Sequence, residues 1–198
     1  WNWNDNSTKL PPDYNAINDI GTKLALKIEK INGGYYIPHA ATGRYGNSHD
    51  WFYSAMGTYQ YTIETSLIQP DSAYLYRVIN LNKPGLYFLI ERASGRIPGL
   101  QQAAQLTGII TDAVTQEPLS AVVQLAGRET NWLEPYTSDP VFGRYRRYLL
   151  DGIYSLNVSC PGYADTTLEN IPVSRNYPTV RNVALNPLPK FTVHGTVA

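Results

Sequence analysis

The 198-residue sequence lacks several features that would place it in common classes of protein. It has one cysteine, Cys160, so no disulfide can form within the chain. Its formal net charge is zero and it has no basic run, which argues against nucleic acid or an anionic membrane as a partner. No apolar stretch approaches the roughly 20 residues of a membrane span. What remains is the composition of a globular protein with enough apolar residues for a core.

The thiol also lacks the neighbours of a catalytic cysteine. A nucleophilic thiol needs a histidine partner, and no histidine is near Cys160 in sequence. Because it ends a strand-like run over 154–160, we interpret it as a small buried hydrophobic residue. Tyrosine is abundant and lysine is scarce, which suits a secreted, extracellular or periplasmic protein rich in sheet. The chain begins with Trp1 and shows no signal peptide, so we expect it to be part of a longer protein.

The most informative stretch runs from 43 to 64. A loop of glycine and small polar residues closes on Asp50, and from 58 the side chains alternate between two faces. That is the period of a strand, which we predict over 58–64. The strand ends in Glu64, which shares a face with Thr62. In open α/β sheets ligands bind at the carboxyl ends of strands, so Glu64 is a candidate catalytic acid or base.

This stretch resembles the C-terminal half of the active site in zinc metallocarboxypeptidases of the carboxypeptidase A type. In that family a flexible loop leads into Ser-x-Asp-Trp, and the catalytic glutamate follows fourteen residues after the aspartate in a Thr-hydrophobic-Glu context. The corresponding residues stand at the same spacing here, as Ser48-His49-Asp50-Trp51 and Thr62-Ile63-Glu64. The alternative interpretation is an ordinary strand that ends in a solvated glutamate.

The resemblance implies a role for four of these residues. Glu64 would be the general base that takes a proton from water and passes it to the leaving amine. His49 would lie at the base of the pocket for the substrate's C-terminal side chain, where an imidazole favours polar or acidic groups. A surface histidine is the alternative there. Ser48 and Thr62 match other positions that line this substrate-binding pocket.

Two parts of the family's active site are not at their usual positions. The mobile tyrosine that covers the substrate normally stands eight residues before the aspartate, where this chain has Thr42, and Tyr45 is the nearest candidate for its role. Zinc needs three protein ligands to keep an open site, and the family takes two of them from His-x-x-Glu. No His-x-x-Glu occurs here, and none of His39, His49 and His194 has ligand spacing. The resemblance therefore implies zinc as cofactor, with ligands upstream of this chain.

The first half otherwise predicts helices. Asp13 is placed to cap a helix over 14–31, in which apolar residues recur with a helical period. A second helix is expected to begin at Asp71. Pro84 then opens a further helix, predicted over 84–93 and closed by a glycine.

The second half changes to short β-type runs separated by turns, which predicts an all-β sandwich over 106–188. Its arrangement of Gly-x-Tyr and Pro-Leu-x-Ala motifs resembles the transthyretin-like sandwich, also called carboxypeptidase regulatory-like, that follows the catalytic domain in many metallocarboxypeptidases. The expected runs are 108–112, 122–125, 144–150, 154–159 and 180–185.

These patterns divide the chain into four parts. Residues 1–95 resemble the C-terminal part of an α/β catalytic domain, and 96–105 are interpreted as a linker. Residues 106–189 form the predicted sandwich. The remaining 190–198 echo the first run of that sandwich and are interpreted as the start of a further β module.

Two function classes follow. The first is part of a zinc metallocarboxypeptidase that hydrolyses C-terminal residues from peptides, with peptide or protein C-termini as substrate and the missing N-terminal part of the catalytic domain as partner. The second is a carboxypeptidase-like remnant without catalysis, joined to an adhesive or binding sandwich. Glu64 in register with the Ser-x-Asp-Trp motif favours the first class, and Thr42 in place of the tyrosine favours the second.

Overall fold

The computed structural model describes residues 10–38, 47–65, 69, 71–95, 103–128, 130 and 133–191. Within them, helices come first and strands follow. The helices are α1 (Tyr14–Ala25), α2 (Ser48–Met56) and α3 (Ser72–Ser94). The strands are β1 (Gln105–Asp112), β2 (Val122–Leu125), β3 (Arg144–Tyr148), β4 (Gly152–Ser159), β5 (Thr166–Val173), β6 (Thr179–Val180) and β7 (Val183–Leu185). None of the described helices is long and apolar enough to cross a bilayer.

The strands form two facing sheets, which we call the sandwich (described residues from 103 to 191). In the first sheet β1 pairs antiparallel with β3 and parallel with both β6 and β7. In the second sheet β4 lies between β2 and β5, antiparallel to both. Buried side chains from both sheets share one core, which includes Leu106, Val123, Leu156 and Leu185. The predicted all-β sandwich is thus confirmed.

Before the sandwich lies a helical unit (described residues from 10 to 95). It has its own smaller cluster of buried apolar side chains, which we call the helical cluster. Its buried members come from α1, from the turn after it and from α3: Ile20, Leu24, Ile28 and Phe88. Tyr148 of β3 packs against the edge of this cluster. The helical unit therefore touches the sandwich but does not share its core, and the predicted domain boundaries stay predictions.

Helix α1 is shorter than the helix predicted over 14–31. It ends at Ala25, after which backbone bonds turn the chain back and an isolated bridge joins Glu29 to Tyr35. A pair of glycines with positive φ, Gly33 and Gly34, closes this turn. Ile28 is nevertheless buried, at 1% exposure, so the apolar stripe was identified correctly although its last residues are not helical.

The strand predicted over 58–64 is not formed among the described residues. The segment is extended, but its residues 59–63 make no backbone hydrogen bond to any other described residue. An extended segment becomes a strand only when a neighbour supplies a ladder, and the described part of the chain holds none. The alternation itself is present: the odd-numbered residues from 59 to 63 pack on the helical cluster, and Thr62 and Glu64 on the other face are exposed.

Helix α3 joins the two helices predicted on either side of Pro84. Asp71 caps its start, where the carboxylate accepts from the Tyr74 backbone N–H at 2.8 Å, and Gly95 caps its end with a φ of 70°. Proline usually breaks a helix. Here Gly85 lies against Ile28 and the buried face continues on both sides of the proline, so tertiary packing supports one helix.

Cys160 is half-buried rather than buried, and follows β4 directly. Its side chain packs against the edge of the sandwich core, and its Sγ lies 3.7 Å from the Ser120 carbonyl. Burial raises the pKa of the thiol, which disfavours the nucleophilic thiolate.

We expect Asp112 to make the sandwich sensitive to acid. Backbone N–H donation from Thr115, the Tyr163 hydroxyl and backbone N–H donation from Val114 hold the pKa of Asp112 below its ordinary value. Stability from the ionised form is then complete above the unfolded pKa of about 3.9 and is lost as pH falls through the lower folded pKa. Asp112→Asn should flatten the dependence of the melting temperature on pH between about 5 and 2. Parallel pH profiles for wild type and variant would contradict this.

Candidate functional site

Three residues of the Ser-x-Asp-Trp motif form the first turn of α2, where a loop was expected. Asn47 caps the start of the helix, and Ser48, His49 and Asp50 are its first three residues. His49 Nε2 lies 3.6 Å from Asp50 Oδ1, and the side chains are 18% and 14% exposed. Burial raises the pKa of Asp50, and the neighbouring imidazole counters part of that rise. Trp51, the next residue, is largely exposed.

The other two described candidates lie on the extended segment. Thr62 and Glu64 share its exposed face, two residues apart. Gly57 joins α2 to this segment, with the left-handed φ of 62° that glycine adopts without strain. The candidates are therefore presented by two consecutive elements with one fixed turn between them. The remaining candidate, Tyr45, lies outside the described residues, as does Thr42.

A zinc site is not found among the described residues. No three histidine, cysteine, aspartate or glutamate side chains of that part of the chain are arranged to hold a metal ion. Glu64 is an exposed carboxylate that can accept a proton, and Thr62, two residues away on the same face, has a hydroxyl that can orient a substrate group. These residues do not themselves form a metal centre.

A buried charge cluster, which sequence reasoning missed, lies beside α2. Asp13 was predicted to cap α1, and it stands at that position, but its carboxylate makes no capping bond. Instead Oδ1 accepts from Arg128 Nη1 at 2.7 Å and Oδ2 accepts from Arg147 Nη2 at 2.8 Å. The Tyr53 hydroxyl of α2 donates to Oδ2 at 3.3 Å. We call Asp13, Tyr53, Arg128 and Arg147 the charge cluster.

The charge cluster is held in a low-dielectric setting. Asp13 is 2% exposed, and each arginine guanidinium also lies 5.3 Å from the centre of a tyrosine ring. Burial raises the pKa of Tyr53, and the Asp13 charge raises it further. Burial lowers the pKa of Arg147, but the charge and hydrogen bond of Asp13, together with Tyr59 and Tyr53, more than offset this and raise it. Tyr53 therefore stays neutral and Arg147 stays charged near neutral pH.

The charge cluster lines a cleft between the helical unit and the sandwich. Both units contribute walls, and the lining includes Pro12, Ser54, Gly57, Thr130, Glu134 and Tyr136 besides the cluster itself. No sequence signal marks this site, because Asp13 is 115 residues from Arg128 and 134 from Arg147. The one hint is the pair Arg146 and Arg147 in β3. Adjacent side chains of a strand point to opposite faces, so both arginines cannot point to solvent if one face is buried.

No protein-family model matches the chain. Carboxypeptidase D from Rattus norvegicus is 27% identical over 164 residues, which is 77% of this chain and 11% of that protein. The chain thus spans about a tenth of this relative's length. Residues 106–189 are less than half of the chain, so a match of this extent has to include much of the first 105 residues as well as the sandwich. The chain therefore contains a carboxypeptidase-like region.

Some solved structures resemble part of the chain. A putative carbohydrate binding protein from Bacteroides uniformis is 17% identical, with a TM-score of 0.31 over 46% of this chain and 48% of that chain. The pilus adhesin RrgA from Streptococcus pneumoniae is 16% identical, with a TM-score of 0.30 over 44% of this chain and 15% of that one. Similarity of this degree identifies neither a family nor a function.

Proposed function

We propose that this chain is part of a zinc metallocarboxypeptidase that removes C-terminal residues from peptides, with Glu64 as general base and the sandwich as accessory domain. The observation that supports this proposal most directly is that the extended segment has two different faces. Its aromatic face packs on the helical cluster, and the opposite face presents Thr62 and Glu64 outward. A glutamate with no role beyond contact with solvent would not need a packed aromatic face to hold its segment in place. The similarity to carboxypeptidase D, which extends into this half of the chain, agrees with the proposal.

The partner we propose is the missing N-terminal part of the catalytic domain. Residues 59–63 have no backbone hydrogen bonds to other described residues, although several of their side chains are half-buried. Such a segment is completed when strands pair on either side of it. A strand of the missing part would supply that pairing and would turn the extended segment into the inner strand of an α/β sheet.

Substrate recognition follows from the same assignment. His49 and Ser48, at the start of α2, would line the pocket for the substrate's terminal side chain together with Thr62, and Tyr45 would cover the bound peptide. We propose a secreted, extracellular or periplasmic location, where such an enzyme meets free peptide C-termini. The zinc that supplies the Lewis acid would be held by residues outside this chain.

Zinc titrated into the 198-residue chain alone is expected to bind no more tightly than to a scattered set of surface carboxylates. The reason is that three converging ligands are needed for a stable site, and the described residues do not supply them. Isothermal calorimetry measures this directly. A one-to-one site of micromolar affinity or better would contradict the prediction and would require a zinc site within this chain.

The function is tested by release of C-terminal residues from short peptides by the longer protein that includes this chain. Peptides ending in acidic, basic and large apolar residues should all be tried, because His49 favours acidic or polar side chains. Activity that a chelator abolishes and added zinc restores supports the proposal. Absence of release from every peptide, with zinc bound and the protein folded, would reject it.

The second candidate function is a binding module, and exposed apolar turns of the sandwich favour it. Val114, Val141 and Phe142 are 75%, 65% and 65% exposed. Both turns are fixed by an aspartate that accepts backbone N–H groups, Asp112 in one and Asp139 in the other. Exposed apolar side chains mark a contact surface when they form one contiguous patch, so this alternative requires the two turns to act together. A folded, zinc-loaded protein without peptidase activity would favour this alternative.

A further inference from the structure

The end of β3 contacts the helical unit at every position from 146 to 149. The two arginines donate to acceptors of the helical unit, and the next two residues accept through their backbone carbonyls. Arg146 donates to the Ala93 carbonyl at 2.5 Å, and Arg147 donates to Asp13 at 2.8 Å. The Tyr148 carbonyl accepts from the Tyr59 hydroxyl at 3.0 Å, and the Leu149 carbonyl accepts from Arg92 at 3.4 Å. This stretch of the sandwich therefore supplies several of the contacts by which the helical unit lies against it, beside the ion pair of Arg128 with Asp13.

Two routes lead from Arg147 to α2. The first passes through Asp13, whose Oδ2 accepts both from Arg147 and from the Tyr53 hydroxyl. The second passes through Tyr136, whose ring lies 5.3 Å from the Arg147 guanidinium. A Cβ at Gly57, the residue that ends α2, would come within 2.8 Å of that same ring. The side of α2 and its end are thus both fixed by groups that contact Arg147.

A separate contact holds the extended segment. The Tyr59 hydroxyl donates to the Tyr148 carbonyl at 3.0 Å, and the two rings lie 5.6 Å apart. The guanidinium of Arg92 in α3 lies 5.3 Å from the centre of the Tyr148 ring. Because residues 59–63 have no backbone partner among the described residues, such side-chain contacts are what hold the segment in place.

We propose that the sandwich positions the candidate site, and that Arg147 is the positioning residue through which it holds α2. The sandwich would then be an integral support for the residues that face the substrate rather than a separate adhesive appendage. Its relevance to catalysis rests on the proposed function, whereas the positioning itself does not. Replacing Arg147 leaves Asp13 buried beside a single arginine and Tyr136 without its guanidinium, so α2 should loosen while the sandwich core stays intact.

Hydrogen exchange of the 198-residue chain, read by mass spectrometry on separate peptides from α2 and β4, tests the positioning. Arg147→Gln should speed exchange of the α2 amides at least roughly tenfold and leave those of β4 within about threefold of wild type. Arg147→Lys keeps the charge and should restore most of the protection. Arg144→Gln, in the same strand but exposed, is the matched control and should change neither peptide.

Two results would overturn the inference. One is an α2 exchange rate in Arg147→Gln that stays within about threefold of wild type. The other is equal loss of protection in α2 and β4, because that would mean Arg147 only supports global stability.

Should Arg147→Gln fail to fold, Tyr59→Phe is the second variant. It removes only the hydroxyl bonded to Tyr148, and chymotrypsin should cut it faster than wild type between 59 and 63. Unchanged cleavage there would likewise overturn the proposal.

The same variant separates this inference from the proposed function. If the longer protein is active, Arg147→Gln should raise KM more than it lowers kcat, because α2 carries Ser48 and His49 of the proposed side-chain pocket, whereas Glu64 lies on the extended segment. If the longer protein has no peptidase activity, the exchange result still decides whether the sandwich positions α2. Failure of one proposal therefore leaves the other measurable.

Discussion

Replacing Glu64 by glutamine is expected to lower kcat for release of C-terminal residues by roughly 10²–10⁴-fold in the protein that carries both halves of the active site. Glutamine keeps the shape of the side chain but cannot take a proton from water. Glu64 is exposed on the segment's outer face, so its substitution removes no core packing. The fold and the zinc content should therefore stay the same, and the loss should appear in kcat more than in KM.

The measurement compares zinc-matched samples with equal melting temperatures on the best peptide substrate. Glu169→Gln is the matched control, because Glu169 is also an exposed glutamate of an extended element but lies on β5 of the sandwich. It should leave kcat within a few-fold. If Glu64→Gln keeps more than about a tenth of wild-type kcat, Glu64 is not the general base, since even weak general base catalysis contributes more than that.

The second large effect concerns the sandwich core. Leu156→Ala should lower the free energy of unfolding of the sandwich by about 2–5 kcal/mol, because Leu156 is fully buried where β4 meets both of its neighbours. Ile153→Ala is the control in the same strand. Ile153 is 74% exposed, so its loss should cost less than about 1 kcal/mol.

Urea denaturation followed by circular dichroism compares the two midpoints at equal slope. A difference of 1 kcal/mol or more is a large part of the roughly 5–15 kcal/mol by which a domain is stable, so it should be clearly resolved. Equal midpoints for the two variants would mean that the two sheets do not enclose a packed core at Leu156.

Patterns of local period were enough to predict the sandwich and most of the helical positions. The extended segment shows where such reasoning ends. Alternation over 58–64 predicts a segment with two different faces, and that part is confirmed, with Tyr59, Tyr61 and Ile63 on the packed face. Whether the same residues form a strand depends on a pairing partner, which no local pattern contains.

Strand β5 was missed for a related reason. Its sequence includes Asn170, which has a φ of 55°, and Pro172, and neither residue suits a strand interior. Among the described strands it pairs only with β4, so one of its edges is free of a ladder and a residue without an N–H is tolerated there. The charge cluster could not be predicted from the sequence either, because its aspartate and arginines are distant along the chain. The local sequence around Asp13 indicated only a capping role.

The contact between Asp13 and Arg147 also sets an order of events during synthesis. Asp13 is made 134 residues before Arg147, and Tyr59 is made 89 residues before Tyr148. At about 5–20 residues per second, a growing chain carries Asp13 for roughly 7–27 s before its second arginine exists. Through that interval α2 and the extended segment have no support from β3. The helical unit can reach its final arrangement only after the ribosome has made the first three strands of the sandwich, so a later part of the chain completes an earlier one.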